Sequence, residues 1–387
     1  MALYLCANNK ISEKPFVFNA HKMYVYTLEE ALYYGYHNWQ QVYEDLFSEK
    51  FIAWVEDFGS KKLAEKLQEY VYLDNFSEKL LGFLGLQEYF SKDELAWLEQ
   101  QVIAWESRHY WERIKEQGDI WANAGDFEKA LGYYRLAHMH QENPNILNNI
   151  GICLMKLSRF VDAAEYFEKA YLVDKNMRFR YNLIEAYIYA QNFDLSNKLI
   201  DDILSKNSKD SEAYYMRGEV FFANKRYFEA INMYQNAIEL AQLSPYIYRL
   251  CDCFVNIRLY DRALDALEKV ADRDSRFYAK QAELYAVSNN LPMAIKCIEK
   301  AILQDGKSVG LWTTLAQYCR KDYDTARASA AISKALSIAK NDAHALFEYA
   351  LIRKAQGRMK EYQDMLHTIL VKFKDDYREN LKISGGI

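Results

Sequence analysis

Hydrophobic and polar positions along most of this 387-residue chain repeat on two scales, the turn of a helix and a longer step near 34 residues. From residue 111 onward a small residue stands in one predicted helix, and twelve positions later an alanine opens the next. The first slot reads Gly118, Gly151, Ile184, Gly218, Cys251, Ala282, Ala316 and Ala350, in steps of 33, 33, 34, 33, 31, 34 and 34 residues. The second reads Ala130, Ala163, Ser196, Ala230, Ala263, Ala294, Ala328 and Tyr362. Four positions on comes a large apolar residue: Tyr134, Phe167, Ile200, Tyr234, Leu267, Ile298, Ile332 and Leu366. Three beyond that stands a small or branched one: Ala137, Ala170, Ile203, Ala237, Val270, Ala301, Ala335 and Ile369. Spacings of four and seven place all three slots on one face of a helix. Gly125-Asp126, Gln191-Asn192 and Asn289-Asn290 supply turn chemistry between the two helices.

The pattern predicts eight antiparallel helix pairs over residues 111–374. Small residues let two helices approach, and a large side chain from one fills the gap left by Gly or Ala in the other. No single pair buries its apolar face alone, so stability is a sum of neighbour interfaces. With its step near 34 residues, its small slot and its Ala-x3-large spacing, this stretch resembles the tetratricopeptide repeat (TPR) family. Gly218-Glu219-Val220-Phe221 followed by Ala230-Ile231-Asn232-Met233-Tyr234 is one of the closest matches; Ile184 and Tyr362 depart from it. The resemblance implies an all-α, right-handed α-solenoid of antiparallel helix pairs that binds protein or peptide along a concave face lined by first helices.

Residues 1–110 do not follow the repeat. Leu3–Cys6, Phe16–Phe18 and Met23–Tyr26 are short aromatic and branched runs that predict one or two small strands. Thr27-Leu28-Glu29-Glu30 is a capping box opening a helix through Tyr36, and Ser91-Lys92-Asp93-Glu94 is another, opening a helix with Leu95, Leu98, Val102 and Trp105 at core spacing. Further helices are expected over Gln41–Asp57, Ser60–Tyr72 and Phe76–Phe90. This mainly helical block reads either as a cap on the first repeat or as a separate effector unit. Trp111 and Trp121 bracket the first repeat helix and are expected to seal the junction. Residues 375–387 read as a helix extension through Lys382 and a frayed tail.

Composition agrees with helices joined by short turns, since only 4 Pro and 14 Gly punctuate a chain with 32 Tyr and 20 Phe. Residues 1–110 carry 10 Lys/Arg against 17 Asp/Glu, and the rest of the chain carries 39 against 37. An acidic front and a near-neutral array lack the basic stripe that nucleic acid requires. No apolar run approaches the ~20 residues that cross a bilayer, and Met1–Lys14 lacks the pattern of a signal peptide, so a cytoplasmic location is expected. Cys6, Cys153, Cys251, Cys253, Cys297 and Cys319 have no framework spacing and read as unpaired thiols.

On the implied concave face, one position after the small slot and three before it, the middle repeats place Glu185, Glu219, Asp252 and Glu283 beside Tyr181, Tyr215 and Tyr248. Tyrosines offer contact area at low entropic cost and carboxylates would meet a basic segment. The alternative is internal: Arg249 and Lys280 stand where they could pair with Glu219 and Asp252. The clamp by which some TPR proteins hold the C-terminal carboxylate of heat-shock chaperones is matched by Lys115, Asn149 and Arg178. It is broken where Asp119 and Asn182 replace an amide and a cation.

Nothing in the sequence suggests an enzyme, a cofactor, a metal or a small-molecule substrate: phosphate loops, nucleophile elbows and metal-protease motifs are absent. His138 and His140, two apart, should point to opposite sides of their helix, and Cys251-x-Cys253 shares that geometry. Tyr134, Tyr187, Tyr234 and Trp312 fall on packing positions. Two functions are expected from these patterns: a non-catalytic scaffold or adaptor, or a signalling receptor that binds a short peptide and acts through its N-terminal block.

Overall fold

A computed structural model describes residues 11–20, 22–57, 61–86 and 88–372. The chain divides into two compact units, residues 1–192 and 193–387. The first unit opens with an antiparallel hairpin, β1 (Phe16–Phe18) and β2 (Met23–Val25), in which Phe16 faces Val25 and Phe18 faces Met23. Six helices follow: α1 (Leu28–His37), α2 (Trp39–Leu46), α3 (Glu49–Asp57), α4 (Lys61–Val71), α5 (Phe76–Gly85) and α6 (Lys92–Glu106). Both capping boxes close. The Glu30 amide donates to Thr27 Oγ1 (3.1 Å) and the Thr27 amide to Glu30 Oε2 (3.3 Å). At α6 the Glu94 amide donates to Ser91 Oγ (3.2 Å) and the Ser91 amide to Glu94 Oε2 (2.7 Å).

Two expectations for this block are corrected. The single helix over Gln41–Asp57 is two, because the Ser48 hydroxyl donates to the Asp45 carbonyl (2.6 Å) and accepts from the Phe51 amide (3.2 Å). One side chain thus ends α2 and caps α3. The helix expected to reach Phe90 stops at Gly85; Glu88 turns at φ 50°, which lets the Phe90 ring stack on Tyr36 at 4.4 Å. The expected strand Leu3–Cys6, Cys6 itself and the helix extension through Lys382 lie outside the described residues. The core of the block is aromatic, with Phe16 against Phe51 (4.9 Å) and Phe51 against Phe83 (5.7 Å).

The repeat pattern becomes helix pairs. The first unit holds α7 (Tyr110–Asn123), α8 (Phe127–His140), α9 (Pro144–Lys156), α10 (Phe160–Val173) and α11 (Met177–Tyr189). The second holds α12 (Phe193–Lys206), α13 (Ser211–Ala223), α14 (Tyr227–Leu240), α15 (Ser244–Asn256) and α16 (Tyr260–Leu267), then α17 (Ser275–Val287), α18 (Leu291–Gln304), α19 (Val309–Lys321), α20 (Thr325–Ile338), α21 (Ala343–Ala355) and α22 (Met359–Lys372). Within these pairs the floor and the knob are matched in size. Gly118, Gly151 and Gly218 face the rings of Tyr134, Phe167 and Tyr234, so closely that an added Cβ would meet ring carbons at 2.7, 2.5 and 2.5 Å. Where the floor is Cys251, Ala282, Ala316 or Ala350, the buried residue in the knob position is the smaller Leu267, Ile298, Ile332 or Leu366.

Each pair turns in the same way. Seven residues after the small slot, Gly125, Ser158, Gln191, Lys225, Arg258, Asn289, Tyr323 and Gly357 all adopt φ between 57° and 82°. The residue after each donates its amide back across the helix end, as from Asp126 to the Trp121 carbonyl (3.0 Å) and from Arg226 to the Phe221 carbonyl (2.8 Å). This is the Schellman closure, which satisfies carbonyls that a helix end leaves open. Six of the eight positions carry a side chain, so the closure overrides the preference for glycine there.

The 31-residue step has a local cause. α16 spans 8 residues against 14 in α14 and α18. It ends in tightened bonds from the Lys269 amide to Ala266 (3.1 Å) and the Val270 amide to Leu267 (3.0 Å). Val270, expected on the face of that helix, lies beyond its end and is still buried.

The size match predicts opposite effects for two substitutions in the first unit. Gly151→Ala should lower stability by about 1–3 kcal/mol by forcing Phe167 off its floor. Gly132→Ala, in α8 with nothing within 4 Å of its new Cβ, should raise it by about 0.5–1 kcal/mol. Urea unfolding of the two variants checks the signs.

Candidate partner-binding site

In the first unit, two of the three side chains that match a carboxylate clamp, Lys115 and Asn149, are already engaged. Lys115 Nζ lies 2.5 Å from Asp119 Oδ2, while Tyr134 Oη and Asn149 Nδ2 donate to Asp119 Oδ1 at 2.8 and 3.5 Å. Asn182 Nδ2 donates to Asn148 Oδ1 (2.7 Å). Asp119 thus neutralises the lysine that a ligand carboxylate would seek, in agreement with the broken motif. Tyr181 is half-buried and Glu185 exposed on α11.

The N-terminal block is fastened to the first repeat by buried and half-buried polar bonds. Gln117 Nε2, almost fully buried on α7, donates to the Gln40 carbonyl (2.9 Å), and Trp105 Nε1 donates to Glu116 (3.1 Å). Lys129 reaches Glu44 (3.0 Å) across the Trp121 ring, 3.4 Å from its centroid, and the Tyr133 hydroxyl donates to the same carboxylate. Burial and Glu44 together push the Tyr133 phenol up. Trp121 is buried at this junction as expected, and Trp111 is half-buried.

In the second unit, the acids read from the sequence form one charge ladder across three first helices. Arg249 on α15 holds Glu219 on α13 through Nε (2.7 Å) and one terminal nitrogen (2.6 Å), and Tyr234 Oη donates to Glu219 at 2.5 Å. The other terminal nitrogen of Arg249 meets Asp252 (3.3 Å). Lys280 on α17 pairs with Asp252 and with Glu283 (2.9 Å). Fork geometry makes the Glu219–Arg249 pair bidentate, and the Arg249 guanidinium also lies 4.1 Å from the Phe222 ring centroid. Of the two alternatives open in the sequence, Glu219 and Asp252 take the internal one. Tyr215 stacks on Tyr246 (4.8 Å), so its ring is also used in packing.

Beside the ladder the first helices leave a trough. One lobe, of about 760 Å³, is lined by Tyr248, Ala279, Lys280, Glu283, Leu311, Gln317 and Tyr318, with Arg276 at its edge. The other, of about 430 Å³, shares Thr314 and Gln317 and adds Thr313, Phe347, Glu348 and Leu351. Both volumes fall in the range of ligand sites, about 300–1,000 Å³. Its far wall is stiffened by Arg320 of α19, which holds the buried Glu348 of α21 at 2.5 and 3.2 Å. Burial raises the Glu348 carboxyl above the ordinary range even against that guanidinium. Of the residues singled out from sequence, Tyr248 and Glu283 line the trough. Leu311, Tyr318 and the Arg320–Glu348 pair were not singled out, because they lie outside the two positions from which the face was read.

The chemistry-bearing residues that the sequence set aside are packed. Cys153, Cys251, Cys253, Cys297 and Cys319 are buried free thiols, and burial pushes Cys251 and Cys253 up to about 12. The His140 ring packs on Tyr110 (4.9 Å). Tyr134 and Tyr234 are buried knobs, while Tyr187 and Trp312 are half-buried. Among the described residues, no group of three or more His, Cys, Asp or Glu is placed to hold a metal ion, and no helix is long and apolar enough to cross a membrane.

The family model described as tetratricopeptide repeat matches residues 116–176 and 181–245. These two stretches are tetratricopeptide repeats. The chain is 24% identical over 227 residues to the BBSome complex member BBS4 of Bos taurus. The match covers 56% of this chain and 42% of that protein, so the chain spans less than half the length of the relative. Yeast Tom70 shares the fold at a TM-score of 0.52 and 15% identity, covering 88% of this chain and 85% of that one. A TPR protein from Parabacteroides merdae ATCC 43184 aligns at 0.44 and 18% identity, over 63% and 96%. TPR proteins act as protein-interaction scaffolds, and their partners are proteins or peptides.

The ladder yields a double-mutant test. Arg249→Met should cost about 1–3 kcal/mol, because it strands the largely buried Glu219 without its cation. Adding Glu219→Gln should recover part of that loss, since no stranded charge is left. Chemical denaturation of both variants beside the wild type measures the coupling.

Proposed function

We propose that this protein is a non-catalytic scaffold that holds a segment of a partner protein in the trough of its second unit. The observation that carries the reading is the trough itself. Its two lobes, which share Thr314 and Gln317, lie along α15, α17, α19 and α21, and the Lys280–Asp252 and Arg320–Glu348 ion pairs hold their sides before any ligand arrives. Preorganised walls lower the entropic cost of binding. The lining mixes aromatic and aliphatic side chains with neutral Thr313, Thr314 and Gln317 and charged Lys280 and Glu283, and its run along four helices suits an extended peptide.

The acidic residues contribute differently from one another in this reading. Glu219 and Asp252 hold the helices together, while Tyr248 and Glu283 are contact residues. Tyr181, Glu185 and Tyr215 stand outside the trough, and any contact they make with a partner is secondary to it. The N-terminal block acts as a cap: its aromatic core and its bonds through Gln117, Glu116 and Glu44 cover the apolar end of the first repeat, which a repeat array must shield from water.

Immobilised intact protein and a Thr313→Arg, Gln317→Arg variant, matched by thermal melting, test the reading as baits for interacting proteins. Partners of the wild type should fall at least tenfold on the variant. An identical set on both baits would remove the trough from the function.

A further inference from the structure

Resting on the trough reading above, we infer that the trough selects its partner through one large apolar side chain seated over Ala279, with a Lys or Arg two residues away facing Glu283. The first half of the inference comes from comparing repeats. The position three before the small slot carries Tyr215 on α13 and Tyr248 on α15, and Phe347 on α21. On α17 the same position is Ala279, and the larger lobe opens over it. Tyr248, Leu311 and Tyr318 wall this gap, and Ile298 closes its floor. On α19 the position is the small Thr313, so the aromatic ring that Tyr248 places one repeat earlier is absent from α17 and α19, and the space over Ala279 has apolar lining for a partner's side chain. A well-packed, desolvated pocket of this kind is where an anchoring aromatic or aliphatic residue contributes most.

The second half comes from the charge ladder. Its five charges alternate, three carboxylates with two cations, so one negative charge is left over. The exposure of the carboxylates places that surplus: the side chains of Glu219, Asp252 and Glu283 are 19, 25 and 48% exposed. The open end is Glu283, on the rim of the trough beside Ala279. Arg276, one turn earlier on α17 and also lining this lobe, is matched by Asp274 at 3.1 Å. Charge complementarity therefore asks for a cation at the Glu283 end.

The spacing follows from helix geometry. Ala279 and Glu283 are four residues apart, about 6 Å along α17. An extended strand puts side chains two residues apart on one side, about 7 Å from each other. A partner segment reading large-apolar, any residue, Lys/Arg fits both places at once, and it preserves in narrower form the basic ligand expected from the acid-rich face.

A library of random 12-residue peptides displayed on phage, selected on the intact protein, tests this directly. Ala279→Tyr fills the gap with the residue that the preceding repeat carries as Tyr248, so the variant should fold; a melting curve verifies it. Selected peptides should share the large-apolar-x-Lys/Arg pattern, bind Ala279→Tyr at least tenfold more weakly, and bind Glu283→Lys about three- to tenfold more weakly. Peptides that lose binding to Thr313→Arg, Gln317→Arg but keep it on Ala279→Tyr would overturn the anchor while leaving the trough as the site. Peptides indifferent to all three variants, or no selection at all, would overturn the anchor and the trough reading together.

Discussion

The contact on which the rest of this protein depends is that of a large side chain in a second helix with the small residue facing it in the first. It recurs in pair after pair, and the two partners compensate in size: rings sit on glycine, and branched aliphatic side chains sit on alanine or cysteine. Because interiors are close-packed, this match fixes the approach of the two helices within a pair. That approach fixes in turn which residues of the first helix are left facing outward. The trough lies along that outward side, where Tyr248, Ala279, Glu283, Thr314 and Gln317 line it.

Most of the architecture was legible because that contact writes itself into the sequence at fixed intervals. Gly118, Gly151 and Gly218 mark that interval, and each faces the ring sixteen residues on. What the interval did not carry was lost. The Ser48 break depends on a hydroxyl that bonds in both directions, which apolar periodicity over Gln41–Asp57 does not register. The recurrent left-handed residue was visible as Gly125 and Asn289 but hidden as Lys225, Arg258 and Tyr323, because backbone closure sets that conformation whatever the side chain. The truncated α16 was hinted at by the 31-residue step, yet Val270 kept its burial while leaving the helix.

The site was half legible for a related reason. Sequence spacing placed Glu219, Asp252, Arg249 and Lys280 near one another without saying whether the acids would meet a ligand or the neighbouring cations. Distances decide that two of them meet cations. The one substitution that opens the trough, Ala279 in a series of larger residues, was in plain view in the sequence. Its meaning required the cavity. Charge pairs here act as struts that hold helices of successive pairs in register, which matters more for shape than for stability, since part-exposed pairs contribute little net free energy.

The central claim is that helix packing presents a preformed trough on the first helices of the second unit, and that a partner binds there. Amide hydrogen exchange of the intact protein, with and without a captured partner, reads this claim residue by residue. The account predicts added protection concentrated in α15, α17, α19 and α21. Protection confined to α1–α6, or to the second helices of the pairs, would contradict it.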